Sequence, residues 1–586
     1  MRLWPIIIAD AASSSLPHKQ LEQHGRIEVS MKILRTGCAF LAAISLLARE
    51  PKYAKHAMVV TQEPLAADVG LRVLEGGGNA IDAAVAIGFA LAVTYPFAGN
   101  LGGGGFLLAR FADGRTTFID FREKAPLAAT RNMYLDAKGN VTADSLVGWR
   151  AAGVPGTVRG LELAHQKYGR KPWADLLNPA VELASQGFPV SYNLDASLRK
   201  DENARLLARF ADSKRIFLSA HYGGKLIQPE LAATLERIRD HGAAGFYDGE
   251  TAHKLAAAMA ANGGLITLED LKKYQAEESA PVRGHYRNYE IISAPPPSAG
   301  GIGLLQMLGM LDGSGYEKTG AGSAASIHYV AEVMRRFYAD RSEYMGDPDY
   351  FKVPITQLLD PQYIASRRAS IDRDHATSSD QIRPGHITVQ EGTQTTHFNV
   401  VDGEGNAVAV TYTLNNGYGS GVTVPGLGFL LNDEMDDFAA KPGTENLFHL
   451  IQGETNAIAP GKRPVSSMTP TIVLRDGQFY LMLGAPGGSR IINGVLQVLL
   501  NVVDFHMNVQ DAVDWPRFHH QWMPDVLYVE RGISPDTVNI LRGMGHKVSP
   551  LESTSPVVAR VEAILSDGGW LEGAHDGRGD GKAEGY

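Results

Sequence analysis

The spacing of apolar residues changes at Thr395, and this change limits the folds open to the chain. Between Met58 and about Ala299, apolar residues recur mainly at helical spacing, with short strands in between. After Thr395, short runs alternate instead and pair around turns that contain glycine, at 397–402 with 406–413 and at 471–474 with 478–483. Such pairs predict β-hairpins of an antiparallel sheet. Helices that flank stacked antiparallel sheets form an α+β layered domain, which is the predicted fold class.

One predicted helix should lie at the centre of the fold. Residues 80–93 are apolar on every side, Asn79 is a suitable N-cap, and Asp82 stands at the third helical position. Further helices are predicted at 158–168, 179–186, 230–240, 251–262, 302–311, 327–342, 491–503 and 512–518, and a late strand at 557–565.

The composition excludes several classes of protein. Apolar residues make up 44% of the 586, which is ample for large buried cores. The formal charge of -9 is mild over this length, and no run of five Lys or Arg residues offers a nucleic-acid footprint, so no nucleic-acid partner is expected. The single cysteine, Cys38, lies in the N-terminal segment. A mature chain without that segment would have no disulfide, metal-thiolate site or cysteine nucleophile.

Residues 1–56 have the pattern of a leader. A basic stretch at 31–35 precedes an apolar stretch at 37–48, as in a secretory signal segment, here 31–48. Twelve apolar residues are too few to cross a bilayer comfortably, so no stable membrane span is expected. A periplasmic or secreted location follows. The alternative is an ordinary buried helix, because no clear small-x-small cleavage site follows Ala48.

Thr395 and Thr396 open the first hairpin, and Thr395 is a candidate nucleophile. On local pattern alone, the pair consists of two β-branched residues that begin a strand. A threonine that is also a chain terminus carries its own base, because its free α-amino group can take the hydroxyl proton directly or through water. That amine titrates at about pH 7.7 to 8.0 in peptides. It becomes available only if the peptide bond before Thr395 is cut.

Several short motifs together point to one family. They are the motifs at 100–106 (NLGGGGF), 120–123 (DFRE), 394–397 (QTTH), 464–468 (PVSSM) and 484–490 (GAPGGSR), with the terminal Gly-Tyr. On these motifs the chain resembles a bacterial γ-glutamyltranspeptidase over residues 57–586. The resemblance implies an N-terminal-nucleophile hydrolase fold with four layers, αββα. It also implies autocatalytic cleavage between Gln394 and Thr395, which gives a large subunit, 57–394, and a small subunit, 395–586.

The resemblance assigns the catalytic roles. Thr395 would form a γ-glutamyl ester, and Thr413 would hydrogen-bond to the side chain and amine of Thr395. Without the family resemblance, Thr413 is explained equally well as a structural strand residue that faces inward. Gly487 and Gly488 would donate backbone N–H groups to the tetrahedral oxyanion, close to the positive end of a helix that follows Arg490. A Gly-Gly turn between a strand and a helix is the commoner reason for such a pair.

A γ-glutamyl donor carries an α-carboxylate and an α-ammonium, so its pocket needs both charges. Arg122 suits the carboxylate because its planar fork binds both oxygens. By the resemblance, the other substrate-binding residues are Ser466 and Ser467 for the carboxylate and Asn415, Glu434 and Asp437 for the ammonium. Alone, Arg122 and Asp437 would be typical of surface ion pairs. Bacterial relatives carry glutamine at the position of Glu434 in some cases, so Glu434 is expected to alter the charge and pH response of the pocket.

Other motifs are given structural roles or no role. The segment 442–453 corresponds to a lid in which Phe448 replaces a tyrosine, so Phe448 excludes water by bulk but donates no hydroxyl hydrogen bond. His519 and His520 diverge as neighbours and have no partner at a regular ligand spacing, so no metal is predicted, and no cofactor is implied. The glycines at 102–105 lack the Gly-Lys-Ser/Thr of a phosphate loop and are expected to pack closely near the site. His397 is expected to be structural.

The predicted activity is transfer of a γ-glutamyl group from glutathione-like donors to water, amino acids or peptides. The nearest alternatives are an acylase for glutaryl or cephalosporin side chains and a poly-γ-glutamate transferase. A glutaryl group has no ammonium, which argues against the acylase. A different class is a non-catalytic exported binding protein of the same fold. The presence of Thr395, Gly487 and Gly488 argues against that class.

Overall fold

The structure is a computed structural model that describes residues 49–383, 395–441, 453–551 and 557–586. Residues 51–586 make up one folded unit. The predicted signal segment 31–48, Gln394 and Phe448 lie outside the described residues. None of the described helices has both the length and the apolar character needed to cross a membrane.

Most of the described strands belong to two seven-stranded antiparallel sheets. In chain order the strands are β1 Lys52–Ala54, β2 Met58–Thr61, β3 Gly104–Arg110, β4 Thr116–Asp120, β5 Phe188–Pro189, β6 Lys225–Leu226, β7 Glu277–Ser279, β8 Val282–Tyr286, β9 Tyr289–Ser293, β10 Thr396–Val401, β11 Ala407–Thr413, β12 Thr471–Arg475, β13 Gln478–Gly484, β14 Phe518–His519, β15 Leu527–Val529, β16 Val548–Pro550, β17 Glu562–Asp567, β18 Trp570–Ala574 and β19 Lys582–Gly585.

The two large sheets mix strands from both sides of Thr395. The first sheet has the order β19-β2-β10-β11-β3-β4-β7, and the second has the order β1-β18-β17-β13-β12-β9-β8. In the first sheet, β10, β11 and β19 follow Thr395 in the chain and hydrogen-bond to β2 and β3, which precede it. In the second, β12 pairs with β9 and β18 pairs with β1. The two halves of the chain therefore share both sheets.

The α-helices lie mainly on the outer faces of these sheets. They are α1 Pro64–Glu75, α2 Ala80–Thr94, α3 Thr157–Tyr168, α4 Trp173–Gln186, α5 Tyr192–Arg199, α6 Asp201–Ala208, α7 Ala211–Phe217, α8 Pro229–His241, α9 Ala244–Tyr247, α10 Gly249–Ala261, α11 Leu268–Lys273, α12 Gly300–Leu311, α13 Ala324–Tyr344, α14 Ile355–Leu358, α15 Pro361–Ala369, α16 Arg490–Val503, α17 Val509–Asp514 and α18 Pro535–Gly543.

The layers follow from the alternation of side chains along each strand. In β2, Val59 packs into the core that contains α2, α3 and α4, whereas Met58 and Val60 pack into the core between the two sheets. Helices α12 and α16 cover the other face of the second sheet. The order is thus helix, sheet, sheet, helix, and the predicted αββα sandwich of α+β class is confirmed.

The central helix forms as its sequence predicts. Asn79 and Asp82 complete a capping box in which each side chain accepts from the backbone N–H of the other, at 2.9 Å in both directions. Every residue of α2 is buried. A helix that is apolar on all sides can be stable only in such a position, between a sheet and other helices.

Two predicted elements near the C-terminus were displaced. The helix predicted at 512–518 lies earlier, at Val509–Asp514 (α17). It starts there because Asn508 caps it, and it ends there because Trp515, which precedes Pro516, is extended. The strand predicted at 557–565 begins only at Glu562. Its expected first residues bond elsewhere: the N–H of Val558 donates to Glu530 at 2.7 Å, and the N–H of Val561 donates to Asp576 at 2.8 Å. Partners distant in sequence therefore outweigh the local β pattern.

Candidate active site

The proposed nucleophile stands at one end of the first sheet. Thr395 directly precedes β10 and is 3% exposed. In the hairpin, Thr396 pairs with Tyr412, so one more step of the antiparallel register places Thr395 opposite Thr413. The two threonines that the sequence assigns to one catalytic pair are therefore cross-strand neighbours.

The side chain of Thr395 faces the second sheet. Successive strand residues alternate, so Thr395 shares a face with His397. The ring of His397 bonds to Thr411 Oγ1 at 2.8 Å and to Asn399 Oδ1 at 2.9 Å. A Cβ on Gly484, at the end of β13, would lie 2.3 Å from His397 Cε1, so this part of the second sheet touches the face that carries Thr395.

His397 is unsuited to act as a base. Burial lowers the pKa of His397 to about 3, with the hydrogen bond to Asn399 opposing the shift. The imidazole is therefore neutral at physiological pH, and both ring nitrogens are already engaged. Its predicted structural role agrees with this geometry, and the amine of Thr395 remains the available base once it is free.

The predicted oxyanion donors lie between β13 and α16. We call residues 485–489 the oxyanion loop. Gly487 has φ of 140° and Gly488 has φ of 65°, backbone conformations that side chains disfavour. No acceptor for either N–H lies among the described residues. Two adjacent N–H groups near the start of a helix form a site for negative charge.

Asn415 connects the two threonines predicted to be catalytic to the predicted binding residues. Its backbone N–H donates to Thr413 Oγ1 at 2.8 Å, and its side-chain Nδ2 donates to the carbonyl of Asp433 at 3.0 Å. Asn415 has φ of 72°, which is uncommon for a residue with a side chain. Glu434 follows Asp433 directly, so one short path joins the β10–β11 strand pair to the predicted ammonium site.

Arg122 is the centre of a buried charge cluster. It follows β4 and is 1% exposed. Its Nη1 bonds to Glu434, and its Nη2 bonds to Asp437. The sequence placed these three residues on two sides of one ligand, and the structure brings them into direct contact. With Asn415, Ser466 and Ser467 they make up the predicted donor-binding residues, which we call the donor pocket.

Ser466 and Ser467 directly follow two residues that bond to the same guanidinium. Arg122 Nε donates to the carbonyl of Pro464 at 3.3 Å, and Nη2 donates to the carbonyl of Val465 at 3.1 Å. Ser466 follows these two residues. Ser467 Oγ accepts from Arg341 at 3.3 Å, an arginine of α13 that the sequence did not single out. All six predicted binding residues are thus buried within one connected region.

Glu123 also belongs to this cluster, although it was not predicted as a site residue. Its carboxylate lies 3.5 Å from Arg122 Nη1 and is fully buried, and neither oxygen has a hydrogen-bond partner among the described residues. Burial raises the pKa of Glu123 to about 7, although Arg122 opposes the rise. Burial likewise raises the pKa of Glu434 well above its usual range. The only feature of the sequence that pointed to Glu123 was its place in the motif at 120–123.

The raised pKa of Glu123 makes a testable contribution to stability. The protonated carboxyl stabilises the fold below its ordinary pKa, and this contribution is lost as pH rises through about 7. Glu123→Gln cannot ionise. From pH 5 to pH 8 we expect the free energy of unfolding of the wild type to fall by roughly 3 kcal/mol relative to the variant. Both proteins are made as uncut chains by adding Thr395→Ala, so that unfolding does not separate two pieces. Their denaturant unfolding at the two pH values measures this difference, and a difference that does not change with pH would contradict it.

The glycine-rich stretch packs against the end of β11, close to Thr413, as predicted. Asn100 Nδ2 donates to the carbonyl of Thr413 at 2.7 Å, and Asn100 Oδ1 accepts from the N–H of Gly103 at 2.9 Å. Thr157 Oγ1 donates to the same Oδ1 at 2.7 Å. This stretch holds the end of β11 in place.

One group of side chains of the types that ligate metal ions lies outside the donor pocket. His328, Glu332 and His546 offer ligand atoms within 4.8 Å of one another. However, Glu332 is already paired with Arg335 at 3.1 Å and with Arg336 at 2.7 Å, and the two rings hydrogen-bond to each other at 2.8 Å. Two cations beside the only carboxylate and a separation too short for a bridging ion both oppose metal binding.

Comparison with known proteins identifies the family. The family model described as Gamma-glutamyltranspeptidase matches residues 66–586. The chain is 48% identical to the glutathione hydrolase proenzymes of Escherichia coli (strain K12) and Pseudomonas sp. (strain A14). These matches cover 90% and 91% of this chain and 91% and 93% of the relatives.

A solved structure shares the fold over nearly the whole chain. The cephalosporin acylase from Bacillus halodurans superposes with a TM-score of 0.82 at 28% identity, covering 92% of this chain and 97% of that one. The two proenzymes are considerably more similar in sequence than this acylase. With a family match over residues 66–586 and 48% identity to two relatives over nine tenths of its length, the chain belongs to the gamma-glutamyltranspeptidase family.

Proposed function

We propose that this protein is an autoprocessed γ-glutamyl hydrolase and transferase that acts on glutathione and related compounds. Two relatives at 48% identity are named glutathione hydrolase proenzymes, which supports a single precursor that is processed into subunits. The cut is proposed between Gln394 and Thr395, giving a large subunit, 57–394, and a small subunit, 395–586. Thr395 then begins the small subunit, directly before β10, with a free amine beside its own hydroxyl.

The proposed reaction has two steps. The amine of Thr395 takes the hydroxyl proton as Oγ1 attacks the γ-carbonyl of the donor, and the oxyanion accepts hydrogen bonds from Gly487 and Gly488. The intermediate collapses to a γ-glutamyl ester, and the leaving amine departs with the proton. Water or the amine of an amino acid or peptide then attacks the ester. This second step frees Thr395 and gives glutamate or a new γ-glutamyl compound.

The observation that carries this proposal is the buried contact of Arg122 with Glu434 and Asp437. A γ-glutamyl donor brings one carboxylate and one ammonium. The carboxylate suits Arg122 together with Ser466 and Ser467, and the ammonium suits the two acidic residues and Asn415. Without a ligand, Arg122 pairs with the acidic residues. With a γ-glutamyl donor bound, Arg122 can pair with the carboxylate of the donor, and the acidic residues can pair with its ammonium. That exchange keeps every buried charge paired.

The acylase alternative has one observation in its favour, the structural likeness to cephalosporin acylase. A glutaryl group has a carboxylate but no ammonium. It would occupy Arg122 and leave Glu434 and Asp437 buried without a cation from the ligand, which is costly. The composition of the donor pocket therefore favours γ-glutamyl donors.

A pair of matched substrates tests the proposed function. We expect the purified protein to hydrolyse γ-glutamyl p-nitroanilide at least about 100-fold faster, in kcat/KM, than glutaryl p-nitroanilide, which differs only by the ammonium. Added dipeptide should increase release of nitroaniline and yield a γ-glutamyl dipeptide. Equal rates for the two anilides would contradict the γ-glutamyl assignment, and a higher rate for the glutaryl compound would favour the acylase.

Export and the lid complete the proposal. The basic and apolar pattern at 31–48 supports a signal segment and a periplasmic or secreted location. The intact mass of the mature large subunit tests this, since retention of residues 31–48 would contradict it.

The segment 442–453 with Phe448 is proposed as a lid over the donor pocket on the family resemblance alone.

A further inference from the structure

The oxyanion loop is held by side chains that have no role in the mechanism above. The carbonyl of Ser489 accepts a hydrogen bond from Tyr338 Oη of α13. The hydroxyl of Ser489 donates to Gln521 Oε1 at 2.9 Å. Ser489 directly follows Gly488, so both contacts act on the residue next to a proposed oxyanion donor.

Gln521 is itself fixed by a directional chain of hydrogen bonds. Asn493 Nδ2 lies 2.8 Å from His519 Nδ1, and His519 Nε2 lies 2.8 Å from Gln521 Oε1. Since the amide nitrogen of Asn493 can only donate, Nδ1 accepts and Nε2 donates. Burial lowers the pKa of His519 to about 3, which keeps the ring neutral in this arrangement. His519, the first residue of the His-His pair that suggests a metal site, therefore orients Gln521 instead.

The opposite side of the loop is also supported. The carbonyl of Pro486 accepts from the N–H of Arg560 at 3.2 Å, and a Cβ on Gly487 would lie 3.0 Å from Ala559 Cα. The glycine pair therefore rests on the 559–560 backbone, while Tyr338 and Gln521 hold its following residue. Preorganised donors are effective because they need no reorientation as charge develops.

We propose that Tyr338 and Gln521 are positioning residues that fix Ser489, and through it the N–H groups of Gly487 and Gly488, for stabilising the oxyanion. This inference rests on the proposed role of the two glycines. Tyr338 lies 151 residues from Ser489 in sequence and in the other half of the chain relative to Thr395. The large subunit would then contribute to the oxyanion site as well as to the donor pocket.

Tyr338→Phe tests the proposal because it removes only the hydroxyl and keeps the ring, which packs edge-on against His519. Both steps of the reaction pass through an oxyanion, so both should slow together. With γ-glutamyl p-nitroanilide and sites counted by the pre-steady-state burst, we expect kcat to fall about 10-fold and KM to stay within about twofold. Ser489→Ala should show the same pattern.

The matched control is Tyr316→Phe, which also removes a buried hydroxyl, one that donates to Asp504 at 2.6 Å outside the site. It should keep its kcat per site. An unchanged kcat per site in Tyr338→Phe and Ser489→Ala would overturn the proposal, and so would failure of both to fold while the control folds. If the wild type lacked γ-glutamyl activity altogether, the proposed function would fail instead.

Discussion

Thr395→Ala is expected to stay one uncut chain, with γ-glutamyl hydrolysis reduced at least about 10⁴-fold. The variant lacks the hydroxyl that is the proposed nucleophile both for chain cleavage and for substrate hydrolysis. Wild-type protein should run as two chains on a denaturing gel, and the smaller chain should begin Thr-Thr-His. Denaturing electrophoresis, N-terminal sequencing and hydrolysis of γ-glutamyl p-nitroanilide measure these outcomes.

Thr396 provides a control one residue away. It is equally buried, but alternation turns its side chain to the opposite face, and its Oγ1 has no hydrogen-bond partner among the described residues. Thr396→Ala should therefore be cut and active, and its smaller chain should begin Thr-Ala-His. Normal cleavage of Thr395→Ala, or activity in an uncut wild-type chain, would refute the assigned nucleophile.

Arg122→Lys is expected to raise KM for γ-glutamyl p-nitroanilide about 100-fold and to leave chain cleavage intact. Lysine keeps the charge but replaces a planar fork with a point charge, so it cannot reproduce bonds to Glu434, Asp437 and a substrate carboxylate together. Charged hydrogen bonds of this kind are worth about 1.5 to 3 kcal/mol each. Steady-state kinetics and a denaturing gel of the same preparation measure both effects.

A second substrate and a second arginine sharpen this test. 4-Aminobutyryl p-nitroanilide keeps the ammonium and lacks the carboxylate, so the variant should lose little further activity with it. Arg336→Lys is the control, because Arg336 is as buried as Arg122 but pairs with Glu332 instead. An Arg122→Lys enzyme that discriminated between the two anilides as strongly as the wild type would contradict a carboxylate role for Arg122.

Elements set by neighbouring residues were predictable from the sequence. The capping box at Asn79 and Asp82 and the turns of the two hairpins depend on side chains within a few positions. The strand expected at 557–565 failed because its first backbone groups bond to Glu530 and Asp576, which belong to other elements. Local pattern carries no information about such partners.

The candidate site divides in the same way. The motifs supply the residue types, but the contact of Arg122 with Glu434 spans 312 positions, and no periodicity predicts it. Glu123 was missed because its significance lies in burial beside that ion pair. Tyr338 was missed because it occupies an ordinary position of a buried helix, and its role depends on where the oxyanion loop meets that helix.

The mixing of strands from both sides of Thr395 has a consequence for the life of the enzyme. A precursor can fold as a single molecule, with every strand at a fixed effective concentration from its partners. A chain cut before Thr395 keeps the same sheets, yet once unfolded its two pieces must find each other by diffusion, at a rate that depends on concentration. Maturation would thus turn a refoldable protein into one whose persistence depends on how slowly it unfolds.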